Sequence, residues 1–201
     1  IKMYDFNGNY DELYNNIKDK ELIFNALHGG EGEDGTIQKF LESENMTFTG
    51  SDSYSSRIAM NKIECKKICL QNKIPTPDWE VYEKNNINLD LPFVIKPSNE
   101  GSSIGLSIIE NNSLHEIKNA IDQCLKVSKN ILVEKFIEGR ELTVGILDGE
   151  ALPIVEIIPR GNFYDYNCKY TKGESDYIVP ARIDESIKRK IEEYSIKIHE
   201  L

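Results

Sequence analysis

The sequence has little of what would place it in a membrane, on nucleic acid or around a structural metal. No apolar run approaches the roughly 20 residues needed to cross a bilayer, and no leader pattern opens the chain. The first residue is Ile, so the chain is expected to lack its own beginning. Basic residues are outnumbered, 24 against 34 acidic, for a net charge of −10 with no compensating basic block. That balance excludes nucleic acid as the expected partner. Cysteine is sparse: Cys65, Cys69, Cys124 and Cys168 show neither C-x-x-C spacing nor a histidine in ligand register. Cys65 and Cys69 stand one helical turn apart and read as core thiols. Reduced cysteines in a chain of this size fit the cytosol. Repeats and low-complexity tracts are absent. So are G-x-x-x-x-G-K-[ST] and G-x-G-x-x-G, which rules out the two commonest phosphate loops.

What is present concentrates in LPFVIKPSNEGSSIGLSII, residues 91–109. Phe93, Val94 and Ile95 read as a buried strand that stops at Lys96 and Pro97, because proline supplies no ladder donor. Residues 98–105 form a small-residue loop, and residues 106–109 return as an antiparallel strand. Gly101 and Gly105 are expected to supply positive φ and close approach. Backbone N–H groups, the Ser102 and Ser103 hydroxyls and the Lys96 charge together suit a phosphate. The same stretch equally fits an ordinary hairpin loop with a solvated lysine.

At 201 residues the chain can hold one or two domains. Residues 22–27 (LIFNAL) read as a buried strand, followed by an irregular glycine-rich loop from His28 to Thr36 and then a helix through Ile37, Phe40 and Leu41. Ligands collect beyond the carboxyl end of such a strand. His28 fits either a site residue or a structural histidine, and Glu31, Glu33 and Asp34 read as a solvated acidic turn. Residues 55–72 read as one helix, on which Lys62 has the pattern of a surface lysine, and residues 79–82 as a strand. Ser113 and Glu116 form a capping box for a helix over 113–127. Residues 131–137 read as a strand with Glu134 and Lys135 set among apolar neighbours. Those charges face either a cleft or the water beside an edge strand. Asp148-Gly149 is a two-residue hairpin signal between strands at 141–147 and 150–157. Residues 163–177, aromatic and aperiodic, read as a functional loop. From Asp184 a helix runs to Leu201 and stops in mid-period, which reads as a cut chain.

Placed in order, FTG at 48–50, MNK at 60–62, VIKP at 94–97, EGSSIG at 100–105, VEK at 133–135, GRELTV at 139–144 and FYDYNCKY at 163–170 resemble the D-alanine–D-alanine ligase family of the ATP-grasp superfamily. The resemblance implies an α/β (α+β) fold in which two antiparallel sheets clasp ATP. It implies a partial N-terminal domain at 1–52, a central subdomain at 53–134 and a truncated C-terminal subdomain at 135–201. By position, Lys62 and Lys96 would neutralise the α- and β-phosphates, with Ser103 as a further phosphate contact and Lys169 near the transferred phosphate. Glu134 would accept from the adenine amino group, the backbone from Lys135 to Ile137 would read the ring edge, and Glu141 would hold the ribose. Ser102 and Tyr170 match a hydrogen-bonded pair that closes over the first D-alanine, and His28 matches a substrate-proximal histidine. The family joins two D-alanine molecules through an acylphosphate, using ATP and Mg2+, in the cytoplasm and without a membrane or nucleic acid; a homodimer is the expected assembly. The magnesium ligands and the arginine for the tetrahedral intermediate are expected outside these residues, so the fragment is expected to be inactive. D-alanine–D-lactate ligation, another ATP-grasp carboxylate–amine ligation and a non-catalytic nucleotide-binding module remain the alternatives.

Overall fold

The computed structural model describes residues 1–83, 86–161, 168–169 and 171–201, which fall into two compact units, Ile1–Met60 and Asn61–Leu201. In the first unit, Asn9 caps helix α1 (Tyr10–Ile17) by accepting the Glu12 N–H. Helix α2 (Thr36–Ser43) brings Ile37 and Leu41 against Leu13 and Ile17 of α1 to form the core. Helix α3 (Ser53–Met60) follows. Its approach to α2 depends on Gly35, whose φ of +90° and lack of a Cβ are both needed: a Cβ there would lie 2.3 Å from Ser53 O. Gly35→Ala is therefore expected to destabilise this unit by roughly 1–3 kcal/mol, from left-handed strain and the clash, read as an earlier thermal transition.

Two expectations for this unit need correcting. Residues 22–27 do not form a strand; only Ile23 pairs, in a single parallel bridge to Phe48. Their composition suits β structure, but a strand exists through its ladder, and here Leu22 and Phe24 are exposed. The glycine loop is also not wholly irregular, since Gly30–Gly32 makes one 3₁₀ turn.

The second unit begins with helix α4 (Lys62–Gln71). Residues 55–72 thus form two helices rather than one. At Asn61 the backbone turns extended (φ −85°, ψ 98°), and its side chain accepts the N–H groups of Ile63 and Glu64. A short amide that can satisfy the backbone itself ends one helix and starts the next. Strands β1 (Trp79–Val81), β2 (Phe93–Pro97), β3 (Ser107–Ile109) and β4 (Ile131–Lys135) form an antiparallel sheet in the order β1-β4-β2-β3. Helix α5 (Leu114–Leu125), capped by Ser113, lies between β3 and β4 in sequence.

Register decides what each sheet face carries. Ile95 pairs with Val133 and Phe93 with Lys135, and Phe93, Ile95, Ile131 and Val133 pack with Ile121 and Cys124 of α5 into one core. The alternate residues, Val94 and Lys96 of β2 with Glu134 and Leu132 of β4, therefore share the opposite face. Trp79, opposite Glu134, is on that face too. Because β4 is flanked by β1 and β2, Glu134 is on an interior strand, which removes the edge-strand reading.

A second antiparallel sheet is built from β5 (Glu141–Thr143), β8 (Val155–Pro159) and β9 (Ser175–Ile178), in the order β5-β8-β9. Between β5 and β8, strands β6 (Ile146–Leu147) and β7 (Glu150–Ala151) form a ribbon whose turn has φ of 52° at Asp148 and 78° at Gly149. The expected turn is there, but each expected long strand is split in two. The first half of one pairs with the second half of the other at longer range, and only the turn-proximal residues pair locally. Residues 175–178, read as loop, are a strand because β8 offers them a partner. Of the expected aromatic loop, residues 163–167 and Tyr170 lie outside the described residues. Arg140 donates two 2.6 Å hydrogen bonds to Glu156 of β8, and helix α6 (Glu185–Glu200) places Lys197 Nζ 2.7 Å from Asn72 O, just past α4.

Candidate functional site

The sheet face opposite α5 gathers charge around one carboxylate. Glu134 on β4 and Lys96 on β2 project to the same side and form an ion pair. A second lysine reaches Glu134 from α4: Lys66 Nζ lies 2.5 Å from Oε2 and also donates to Pro77 O at 3.1 Å. Lys66 was not among the residues singled out from sequence. The available signal was its position one helical turn after Lys62, which puts both on one side of α4.

Burial by itself would raise the Glu134 pKa; the Lys96 charge and the hydrogen bonds from Lys66 and Lys96 outweigh it and hold the carboxyl below its ordinary range. Lys62 Nζ donates to Glu100 O, in the flap, and the Lys62 N–H donates to Ser98 O at 2.9 Å. The surface-lysine pattern of Lys62 does not hold, since its ammonium is partly buried. Desolvation lowers its pKa, repulsion from Lys96 and Lys169 adds to that, and Glu100 and Glu134 oppose it. Lys62 thus feels both Lys96 and Lys169, while Lys66 and Lys96 pair directly with the one ionised carboxylate, Glu134. Such a cation cluster suits a polyanion, because an anion would relieve the desolvation and repulsion that Lys62 already carries.

Residues 98–106 link β2 to β3, and Lys62 holds the start of this flap through Ser98 O and Glu100 O. The left-handed positions fall on Ser102 (φ 50°), Ser103 (φ 60°) and Gly105 (φ 69°), not on Gly101. A Cβ at Gly105 would come within 2.9 Å of Pro97 Cγ, which explains glycine there. Two consecutive non-glycine residues at positive φ store strain that ordinary loops avoid. Cys124 of α5 donates to Gly105 O at 3.1 Å and tethers the flap's return.

The remaining sequence-derived residues are placed as follows. Lys135 points to the α5 side and bonds the carbonyls of Asp90 and Leu91 at 3.2 Å. Its N–H is used on Asp78 O and that of Phe136 on Pro92 O. Ile137 is exposed beyond β4, and Glu141 opens β5 with an exposed side chain. His28, in the first unit, is 81% exposed with Nδ1 3.7 Å from Glu33. The neighbouring acidic residues have structural work: Asp34 accepts the Thr36 N–H and Glu31 accepts the Tyr10 hydroxyl. Tyr170 lies outside the described residues. Among the described residues, no group of three His, Cys, Asp or Glu side chains could hold a metal ion.

Because Asn61 starts α4, it fixes the angle from which Lys62 and Lys66 enter the site. Asn61→Ala is expected to cost about 1 kcal/mol of stability through the lost cap, read by thermal melting.

An antiparallel sheet with a glycine-serine flap over lysines on one face, followed by a second antiparallel sheet, defines an ATP-grasp protein. Residues 5–51 match the family model described as the D-ala D-ala ligase N-terminus, and residues 58–201 match the D-ala D-ala ligase C-terminus. The chain belongs to the D-alanine–D-alanine ligase family. It is 45% identical to the D-alanine–D-alanine ligase of Aquifex aeolicus, over 93% of this chain and 68% of that protein. Its fold is similar to the crystal structure of the Bacillus anthracis D-alanine–D-alanine ligase, with a TM-score of 0.82 and 32% identity over 96% of this chain and 65% of that one. The same enzyme complexed with ATP gives a TM-score of 0.79. The VanG D-Ala:D-Ser ligase of Enterococcus faecalis is also similar, with a TM-score of 0.73 and 30% identity over 90% of this chain and 55% of that one. The chain spans 68%, 60% and 54% of the length of three curated relatives it matches.

Proposed function

We propose that this chain carries the nucleotide-grasping part of an ATP-dependent ligase that joins two D-alanines into D-alanyl-D-alanine for peptidoglycan. The observation that supports it most is the cluster of Lys62, Lys66 and Lys96 about Glu134, beneath a strained glycine-serine loop. In this reading the segment 53–134 and the segment from 135 onward are the two jaws. ATP fits the residues present. Lys62, Lys96 and Lys169 would meet its phosphates, with Ser103 and flap N–H groups as further donors. Glu134, kept ionised by Lys96 and Lys66, would accept from the adenine amino group. With the Lys135 and Phe136 N–H groups already bonded inside the protein, the Ile137 N–H would meet the ring edge, and Glu141 the ribose.

Phosphoryl transfer asks a protein chiefly for positioning and charge neutralisation. The lysines supply the second, and flap closure would supply the first by excluding water. Ser102 and Tyr170 would close over the first D-alanine, with His28 near it; these three roles rest on position in the family motifs. Magnesium does not fit a cluster among the described residues, so no step here depends on it. The similarity to a D-Ala:D-Ser ligase supports a second reading that differs only in the second substrate.

Hydrogen exchange with and without a non-hydrolysable ATP analogue tests the flap. Amides of residues 98–105 are expected to gain protection when the analogue binds. Equal exchange in both states would remove the lid. In a polypeptide of the relatives' full length, phosphate release from ATP should require D-alanine, and L-alanine should not replace it.

A further inference from the structure

Helix α4 carries a second pair of functional groups along the stripe that holds its site lysines. Lys62, Cys65, Lys66 and Cys69 are spaced i, i+3, i+4 and i+7, which is one side of a helix. Both thiols are half-buried rather than sealed, unlike Cys124 and Cys168, and they stand one turn apart on the same helix. Two partly exposed thiols one turn apart on a regular helix suit a bidentate soft ligand.

The spacing selects what the pair can take. Side chains one turn apart have their Cβ atoms about 5–6 Å apart, whereas a disulfide wants them at roughly 3.5–4.5 Å. Direct oxidation would therefore have to draw the helix together, while a single atom inserted between the sulfurs spans the gap with the helix intact. We propose that Cys65 and Cys69 are a dithiol chelation site for a trivalent thiophilic ligand of the arsenic(III) class.

The chemistry balances without an oxidant. An organoarsenic(III) oxide loses its oxygen as water, the two S–H protons go to that oxygen, and two As–S bonds replace the arsenic–oxygen bonding, with arsenic trivalent throughout. Cys124 is buried and its thiol is already engaged on Gly105 O, so it does not compete.

The experiment treats the 201-residue chain with phenylarsine oxide and follows intact mass. One adduct is expected, equal to the reagent less one water. It should survive excess 2-mercaptoethanol and be removed by 2,3-dimercaptopropanol. Cys65→Ser and Cys69→Ser should each leave a one-sulfur adduct that the monothiol strips about a hundredfold more readily, because the second As–S bond forms at high effective concentration. Circular dichroism should show α4 retained in the adduct. A monothiol-resistant adduct in either variant, or none in the unsubstituted chain, would overturn the proposal. These outcomes do not depend on nucleotide binding.

Discussion

Lys66→Met is expected to lower the stability of the chain by about 3 kcal/mol. Removing one partner from a buried pair typically costs about 3–5 kcal/mol because the other charge is left uncompensated, and Lys96 remains to limit the loss. For a chain of this length that corresponds to a melting point lower by roughly 6–12 °C. Lys67→Met is the control. Lys67 pairs with Glu64 in the open, at 2.8 Å but with half its side chain exposed. Its loss should change stability by less than about 0.5 kcal/mol. The two residues are adjacent in sequence and similar in chemistry, so a large difference between them isolates the buried pairing. Equal melting shifts would mean that the Lys66–Glu134 contact contributes nothing.

The same carboxylate sets a pH dependence. Glu134 titrates below its ordinary value of 4.5 in the folded state. Its contribution to stability is therefore complete above pH 4.5 and lost as the pH falls through the lower folded value. Glu134→Gln should flatten the acid limb of the stability curve in that window; an unchanged limb would assign acid sensitivity to other carboxylates.

Lys96→Ala carries the second large effect, on ligand affinity. Lys96 is 17% exposed, within electrostatic reach of Lys62, and projects from the same sheet face as Glu134. A charge-assisted contact to phosphate contributes roughly 1.5–3 kcal/mol, so affinity for an ATP analogue should fall about ten- to a hundredfold. Adenosine itself should lose far less, because the lysine's partner is the phosphate. A matching loss for adenosine would place the damage in the fold of the pocket rather than in phosphate recognition.

The sequence disclosed the elements whose signals are local. Ser113 with Glu116 announced α5, and Asp148-Gly149 announced a turn, because capping and turn chemistry act over a few residues. The Lys96 hairpin was legible for the same reason. Long-range pairing was not. Residues 22–27 looked like a strand but find a single bridge, while 175–178 looked like loop and find a full partner in β8. The break at Asn61 was hidden by apolar periodicity that continues across it. In the site, Lys62 and Glu134 were recovered through the family resemblance, and Glu134 also through the oddity of a charge in an apolar strand. Lys66 escaped because a lysine on a mixed helix looks solvated until the sheet it leans on is known.

The central claim is that the sheet face bearing Lys96 and Glu134 binds an adenine nucleotide. Trp79 is the only tryptophan, and its register opposite Glu134 places it on that face. Titrating the chain with a non-hydrolysable ATP analogue while following tryptophan emission should give a saturable change at one site. The Lys96→Ala curve should shift to about ten- to a hundredfold higher concentration. No saturable change, together with no binding heat by calorimetry, would contradict the assignment of this face as a nucleotide site.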